Sequence, residues 1–180
     1  MPLPDTIGEH KKSTPANLKF SVVIISTTRY NELVKEKPST DKTLEIIEPL
    51  LKEKGYDLAN KEIVADDEGL IKACVKAFAS SKDLDVMVTC GGTGISPKDM
   101  TVDVLAAMKA KVLPGFGELF RFLSYQDVGT SAMLSRAEAF VINQKPIFCL
   151  PGSPKAVKLA VEKIILPEIA HFLAMLRKVE

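Results

Sequence analysis

The most constraining stretch of this sequence is Leu84-Asp-Val-Met-Val-Thr89, which runs without a spacer into Cys90-Gly-Gly-Thr-Gly94. A short, largely apolar run of this kind marks a strand buried on both faces, the situation of a parallel sheet covered by helices. The glycines end the strand, and Met100 to Lys109 then reads as a helix. The same rhythm precedes this unit. Phe20 to Ser26 forms a strand, Thr28 to Thr40 a polar loop, and a helix starts near Lys42 with Asp41 as cap and Gly55 as stop. Pro49 weakens that helix by removing an interior N–H donor. Asp57 to Val64 gives a second strand, and Glu68 to Ala79 a helix suited to capping by Asp67. Alternating strands and helices predict an α/β domain with a parallel sheet.

The remainder is less regular. Pro114 to Arg136 reads as short helices and turns, and Glu138 to Ile142 and Pro146 to Leu150 as strands. A long helix from about Lys155 to Leu176 is expected to bend or break at Pro167. With 180 residues and no repeat or Pro/Gly/Ser-rich linker, one domain is expected over residues 19–180, preceded by a flexible arm, residues 1–18.

Charge and cysteine content narrow the function classes. Lys and Arg total 24 against 23 Asp and Glu, a net charge of +1 that argues against a nucleic-acid coat or polybasic membrane anchor. Cys74, Cys90 and Cys149 lack metal-ligand spacing, as expected for reduced thiols in a cytoplasmic protein. The stretch MPLPDTIGEHKKSTPA has no apolar signal-peptide core, and no apolar run reaches membrane-spanning length.

Parallel sheets bind ligands beyond the C-terminal ends of their strands. Four polar segments fall there: Thr27-Thr28-Arg29, Asp66-Asp67, Gly91 to Asp99, and Gly152-Ser153. Gly91, Gly92 and Gly94 suit a turn presenting N–H groups to anionic oxygen, with Thr93 adding a hydroxyl. The other reading is a structural turn with Asp99 as a helix cap. Asp99 and Asp103, four residues apart, share a helix face where one could hold Mg²⁺, and Asp66 joins them only if it lies nearby. Glu118 is either a ligand contact or a helix N-terminal charge. Arg121, Arg136 and Lys155 are either phosphate clamps or ordinary surface and salt-bridge residues. Pro151-Gly-Ser-Pro154 is an anion-binding helix start or a rigid turn. His10 and His171 have no ligand-spaced partner, and no Ser-His-acid set exists, so nucleotidyl or phosphoryl transfer fits better than acyl transfer.

The blocks Thr89-Cys-Gly-Gly-Thr-Gly94, Lys98-Asp-Met-Thr101, Pro114-Gly-Phe-Gly-Glu-Leu-Phe-Arg121, Ala132-Met-Leu-Ser-Arg136 and Leu150-Pro-Gly-Ser-Pro-Lys155, in this order, resemble the MoaB/MogA family of molybdenum cofactor biosynthesis, and most of all archaeal MoaB. The resemblance covers Phe20 through Leu176 and implies a three-layer α/β sandwich with a mostly parallel central sheet, the molybdopterin-binding MogA-like fold. It implies Mg²⁺-dependent transfer of AMP from ATP to the terminal phosphate of molybdopterin, releasing pyrophosphate. Asp66 and Asp99 fall on the family's metal and catalytic positions. Gly91 to Gly94 and Pro151 to Ser153 fall on its ligand-binding turns, and Glu118, Ser135 and Arg136 on further family blocks. Self-association as a trimer or hexamer and a downstream molybdenum insertase are the implied partners, with no nucleic acid or membrane. Departures are Leu44 and Phe140 where relatives often have Gly, Lys98 for Arg and Val102 for Pro. A binding-only protein of the same pathway, or an enzyme acting on another nucleotide-derived substrate, are the rival readings.

Overall fold

The computed structural model describes residues 17–38 and 41–177. Most of the expected arm lies outside these residues. Six strands form one sheet: β1 Lys19–Ile25, β2 Asp57–Val64, β3 Val86–Cys90, β4 Lys111–Leu113, β5 Glu138–Ile142 and β6 Lys145–Leu150, in the order β2-β1-β3-β6-β5-β4. β2, β1, β3 and β6 pair in parallel, whereas β5 runs antiparallel to β6 and β4 antiparallel to β5. The expected strands are present, but the sheet is mixed at one side. A two-residue connection, Asn143-Gln144, joins β5 to β6 with φ values of 50° and 60°, the left-handed geometry of a tight hairpin. No helix intervenes there, so the direction reverses.

Among the described residues, seven α-helices flank the sheet: α1 Thr27–Val34, α2 Thr43–Glu53, α3 Glu68–Ser80, α4 Thr101–Ala107, α5 Pro114–Val128, α6 Pro154–Ala160 and α7 Leu166–Leu176. Side-chain alternation along the strands feeds two cores. Val22, Val88, Phe148 and Leu150 pack with Ile47, Leu51, Phe116, Phe120, Val157, Ile165 and Leu173 on the face covered by α2, α5, α6 and α7. Val23, Ile25, Met87, Ile147 and Cys149 pack with Ile71, Val75, Phe78, Val104 and Leu105 under α3 and α4. The expected three-layer sandwich is therefore present.

Three elements differ from expectation. The segment after β1 is a helix, α1, capped by the Ser26 hydroxyl, which accepts from the Arg29 N–H. None of its residues is buried, so no apolar period announces it. The stretch expected as short helices and turns is a single 15-residue helix, α5, followed by a 3₁₀ segment Gly129–Leu134. Pro114 starts that helix, where its missing N–H costs nothing. β4 is only three residues long and exposed throughout, leaving no buried face to read.

Prolines act as their positions dictate. Pro49 sits inside α2 but is exposed, so the carbonyl it leaves unpaired faces water and the helix continues. The C-terminal helix breaks before Pro167 through a π-helical turn, Val161–Ile165. Asp67 caps α3 by accepting from the Leu70 N–H at 2.9 Å, and Ser153 caps α6 with Pro154 in its first turn. Among the described residues, no helix is long and apolar enough to cross a membrane.

Candidate active site

The chain leaves β1 toward β2 on one side and returns as β3 on the other, which makes the C-terminal ends of β1 and β3 the topological switch point. Asp66 follows β2, Thr27 follows β1 and the glycine turn follows β3, so all three segments occupy the same sheet edge. Neighbouring strands are about 4.8 Å apart, which separates the ends of β2 and β3 by roughly 10 Å.

Asp66 is fixed from β1. Its Oδ2 accepts from the Thr27 N–H at 2.8 Å and the Thr27 hydroxyl at 2.9 Å, and the Asp66 N–H donates to that hydroxyl oxygen at 3.1 Å. Asp99 is fixed locally: its Oδ2 accepts from the Ser96 N–H at 2.9 Å. Among the described residues, no hydrogen bond joins the two aspartates, and none reaches Oδ1 of either. Each aspartate thus offers one uncommitted carboxylate oxygen. Mg²⁺ takes one or two protein carboxylates and completes its shell with water and phosphate oxygens, a demand that a free oxygen of this kind meets. Among the described residues, no three His, Cys, Asp or Glu side chains gather into an all-protein metal cage.

The glycine turn is shaped by close approaches. Gly91 has φ 119°, and a Cβ there would stand 2.1 Å from the Ile25 carbonyl oxygen. At Gly94 a Cβ would stand 2.7 Å from Oδ2 of Asp99, so the carboxylate's position depends on the bare backbone beside it. Buried Thr101 closes the turn, donating its hydroxyl to the Gly91 carbonyl at 2.9 Å and its N–H to the Gly92 carbonyl at 3.0 Å. The Gly91 N–H donates to the Leu150 carbonyl, and Gly152 lies against Gly91, so the Pro151–Ser153 turn meets the glycine turn as expected. Between them lies a cavity of about 150 Å³ whose lining includes Ser26, Arg29, Asp41, Cys90 and Gly152.

The remaining expected residues fall in different places. Ser135, Pro151 and Ser153 line a pocket of about 520 Å³ between α5, the 3₁₀ segment and α6, with Lys155 at its rim and Phe120 and Leu159 among its apolar walls. Asp99 borders a shallower recess with Ser96, Asp103 and Arg136. Glu118 faces neither; it lines a groove of about 530 Å³ between α5 and α7. Arg121 donates to the Ser135 and Ala137 carbonyls and so joins α5 to β5. Arg136 spends four of its five guanidinium N–H donors on Gly94, Asp99 and Asp103. Asp103 is held below the usual carboxylate range by this guanidinium. It is therefore engaged with Arg136, leaving Asp99 as the metal candidate of that pair. Thr27, expected only as part of a polar segment after β1, takes the specific role of fixing Asp66, a pairing that no local spacing reveals.

Two departures find a structural place. Phe140 is buried in the core under α3 and α4, away from the glycine turn, and Leu44 packs against the opposite core. The cysteines are free; burial pushes the Cys90 thiol far up, Cys149 up to about 12 and Cys74 up to about 11. All three remain protonated at neutral pH and are poor nucleophiles.

A family model described as a probable molybdopterin binding domain matches residues 21–171. The chain is 44% identical over 167 residues to molybdenum cofactor biosynthesis protein B of Bacillus cereus, covering 92% of this chain and 95% of the relative. Identity to the protein of the same name from Bacillus subtilis is 39% over 174 residues, covering 96% and 98%. Among solved structures, the tungsten cofactor synthesizing protein MoaB from Pyrococcus furiosus matches with a TM-score of 0.75 at 35% identity, covering 91% of this chain and 99% of that one. Fold and sequence agree along almost the whole domain: the chain belongs to the MoaB/MogA family of molybdopterin-binding-domain proteins.

Proposed function

We propose that this protein acts in molybdenum or tungsten cofactor biosynthesis as a Mg²⁺-dependent molybdopterin adenylyltransferase. The observation that carries the reading is the pair Asp66 and Asp99, each with a free carboxylate oxygen, flanking the glycine turn at the switch point. Mg²⁺, when bound, supplies charge neutralisation of the triphosphate. Asp66 and Asp99 are the residues that would hold it. In the reaction, an oxygen of the molybdopterin phosphate adds to the α-phosphorus of ATP while the α–β bridging bond breaks and pyrophosphate leaves. No general-base histidine is needed, because nucleotidyl transfer of this kind rests on positioning and fixed charge. The backbone N–H groups of Gly92 to Gly94 contribute donors toward phosphate oxygens, and the Ser135, Pro151 and Ser153 pocket has room for one ring system.

Purified protein given molybdopterin, ATP and Mg²⁺ is expected to form adenylated molybdopterin and pyrophosphate in equal amounts, and neither product without metal. Pterin binding with no product would move the assignment to a binding-only member of the pathway. Competition by another nucleotide-derived substrate would point outside it. The adenylated product is suited to consumption by a molybdenum insertase acting downstream.

The α5–α7 face supports a further expectation, self-association. Phe122 and Met175 are 66% and 60% exposed beside a groove lined by Phe116, Leu119 and Phe172. A contiguous apolar patch of this kind is covered in most water-soluble assemblies. Sedimentation velocity is expected to give a trimer or hexamer; a monomer at micromolar concentration would exclude it.

A further inference from the structure

Arg136 grips four residues from the glycine turn to the first turn of α4. Its backbone N–H donates to the Thr93 carbonyl at 2.9 Å. Nε donates to the Gly94 carbonyl at 2.8 Å and Nη2 to the Asp99 carbonyl at 2.7 Å. The outer edge of the guanidinium pairs bidentately with Asp103, Nη1 to Oδ1 at 2.8 Å and Nη2 to Oδ2 at 2.9 Å. Between these points Ile95 to Lys98 are exposed, and Asp99 is itself only half-buried. Apolar burial therefore does little to fix this loop, and hydrogen bonds must do it.

We propose that Arg136, oriented by Asp103, is a positioning residue that sets where the Asp99 carboxylate stands. The inference rests on the metal-assisted reading of Asp99 given above. Arg136 approaches from the start of β5, on the far side of β6 from the glycine turn, so it ties the loop to the rigid sheet rather than to itself. By holding the Asp99 carbonyl it fixes that residue's backbone, while the Ser96 N–H fixes the rotation of the side chain. The guanidinium suits this task because its planar fork serves two carbonyls and a carboxylate at once, whereas a lysine ammonium is a single point of donation. Asp103 aligns the fork from the opposite edge. The Arg136–Asp103 pair is largely exposed, and pairs of that kind add little to global stability. Thr93 and Thr101 remain buried on either side of the loop. Loss of the grip therefore changes local placement without unfolding the domain.

The test compares the wild-type protein with Arg136→Lys and Asp103→Asn by three readouts. Mn²⁺ binding in the presence of ATP is followed by electron paramagnetic resonance, exchange of the Ser96 amide by NMR, and kcat and KM by product formation. Arg136→Lys is expected to weaken Mn²⁺ half-saturation and lower kcat, each about 10–100-fold. KM for molybdopterin and Tm stay near wild type, and the Ser96 amide exchanges faster because its acceptor is no longer held. Asp103→Asn moves the same quantities in the same direction by less, and carries the test if the lysine variant does not fold. Wild-type Mn²⁺ affinity and Ser96 protection in both variants would overturn the proposal. So would a fall in Tm with loss of amide protection throughout the domain, which marks a purely structural role. Wild-type protein that binds Mn²⁺ with ATP yet makes no adenylated pterin sinks the transferase reading alone, and the first two readouts still decide the role of Arg136.

Discussion

Replacing Asp99 by asparagine is expected to lower formation of adenylated molybdopterin about 1,000-fold with little change in Tm. The side chain keeps its shape, and its amide oxygen still accepts from the Ser96 N–H that now bonds Oδ2 at 2.9 Å. What disappears is the negative charge on the oxygen left free for a cation. A 1,000-fold loss corresponds to about 4 kcal/mol of transition-state stabilisation. Circular dichroism and thermal melting check the fold, and chromatographic product assay checks the chemistry. Turnover within a few-fold of wild type would remove Asp99 from the mechanism, and with it the metal reading of this sheet edge.

Gly91→Ala is expected to destabilise the domain by about 3 kcal/mol, lowering Tm by roughly 6–12 °C for a chain of this size. Two penalties act together. The backbone there has φ 119°, and the added methyl would stand 2.1 Å from the Ile25 carbonyl oxygen, which belongs to the neighbouring strand. The strand end would have to move, and the glycine turn with it. Gly55→Ala is the matched control: its φ is 74° at the left-handed end of α2, but nothing lies within 4 Å of the added carbon. It should cost only about 1 kcal/mol, the dihedral penalty without the collision. Equal losses in the two variants would mean that backbone conformation, rather than the approach of β1 to the turn, dictates glycine at position 91.

How much of this could be read beforehand differs from element to element, for physical reasons. The runs that became β1 and β3 were legible because strands enclosed by neighbours and helices need apolar, β-branched residues in short blocks. Asp67 was legible as a cap because a helix start needs a short side-chain acceptor. α1 was not, since a helix that buries none of its residues leaves only weak propensity in the sequence. α5 was obscured by Gly115 and Gly117 in its opening turns, residues that usually punctuate rather than extend helices. The reversal of β5 depended on Asn143-Gln144, neither of them glycine, adopting left-handed conformations.

The site divides similarly. The glycine turn and its following aspartate carry a local pattern, and the sheet edge could be inferred from strand order alone. The pairing of Asp66 with Thr27 spans 39 positions, and that of Arg136 with Asp103 spans 33. Contacts at such separations have no period or spacing to reveal them. Glu118 illustrates the converse: its block carries the family pattern, while its position on α5 places it beside the α7 groove rather than the pocket of Ser135.

The π-helical turn at Val161–Ile165 acts on the C-terminal helix as a change of phase. Each residue advances a helix by about 100°, so one residue held in a wider turn rotates everything beyond it. Counting inward from Val157 along an unbroken helix, the core-facing row would pass through Val161, Ile164 and Glu168, and a carboxylate would enter the apolar layer. With the wider turn the row instead continues through Ile165, Ile169 and Leu173, all buried. Glu168 is left at the surface, where it bonds His171 at 3.1 Å. A deletion of one residue within this turn would restore an ordinary helix and keep the same row inside. The same deletion further along α7 would rotate every residue beyond it by about 100° against the core it packs on. Chain length is thus open to single-residue change at one end of this helix and closed at the other.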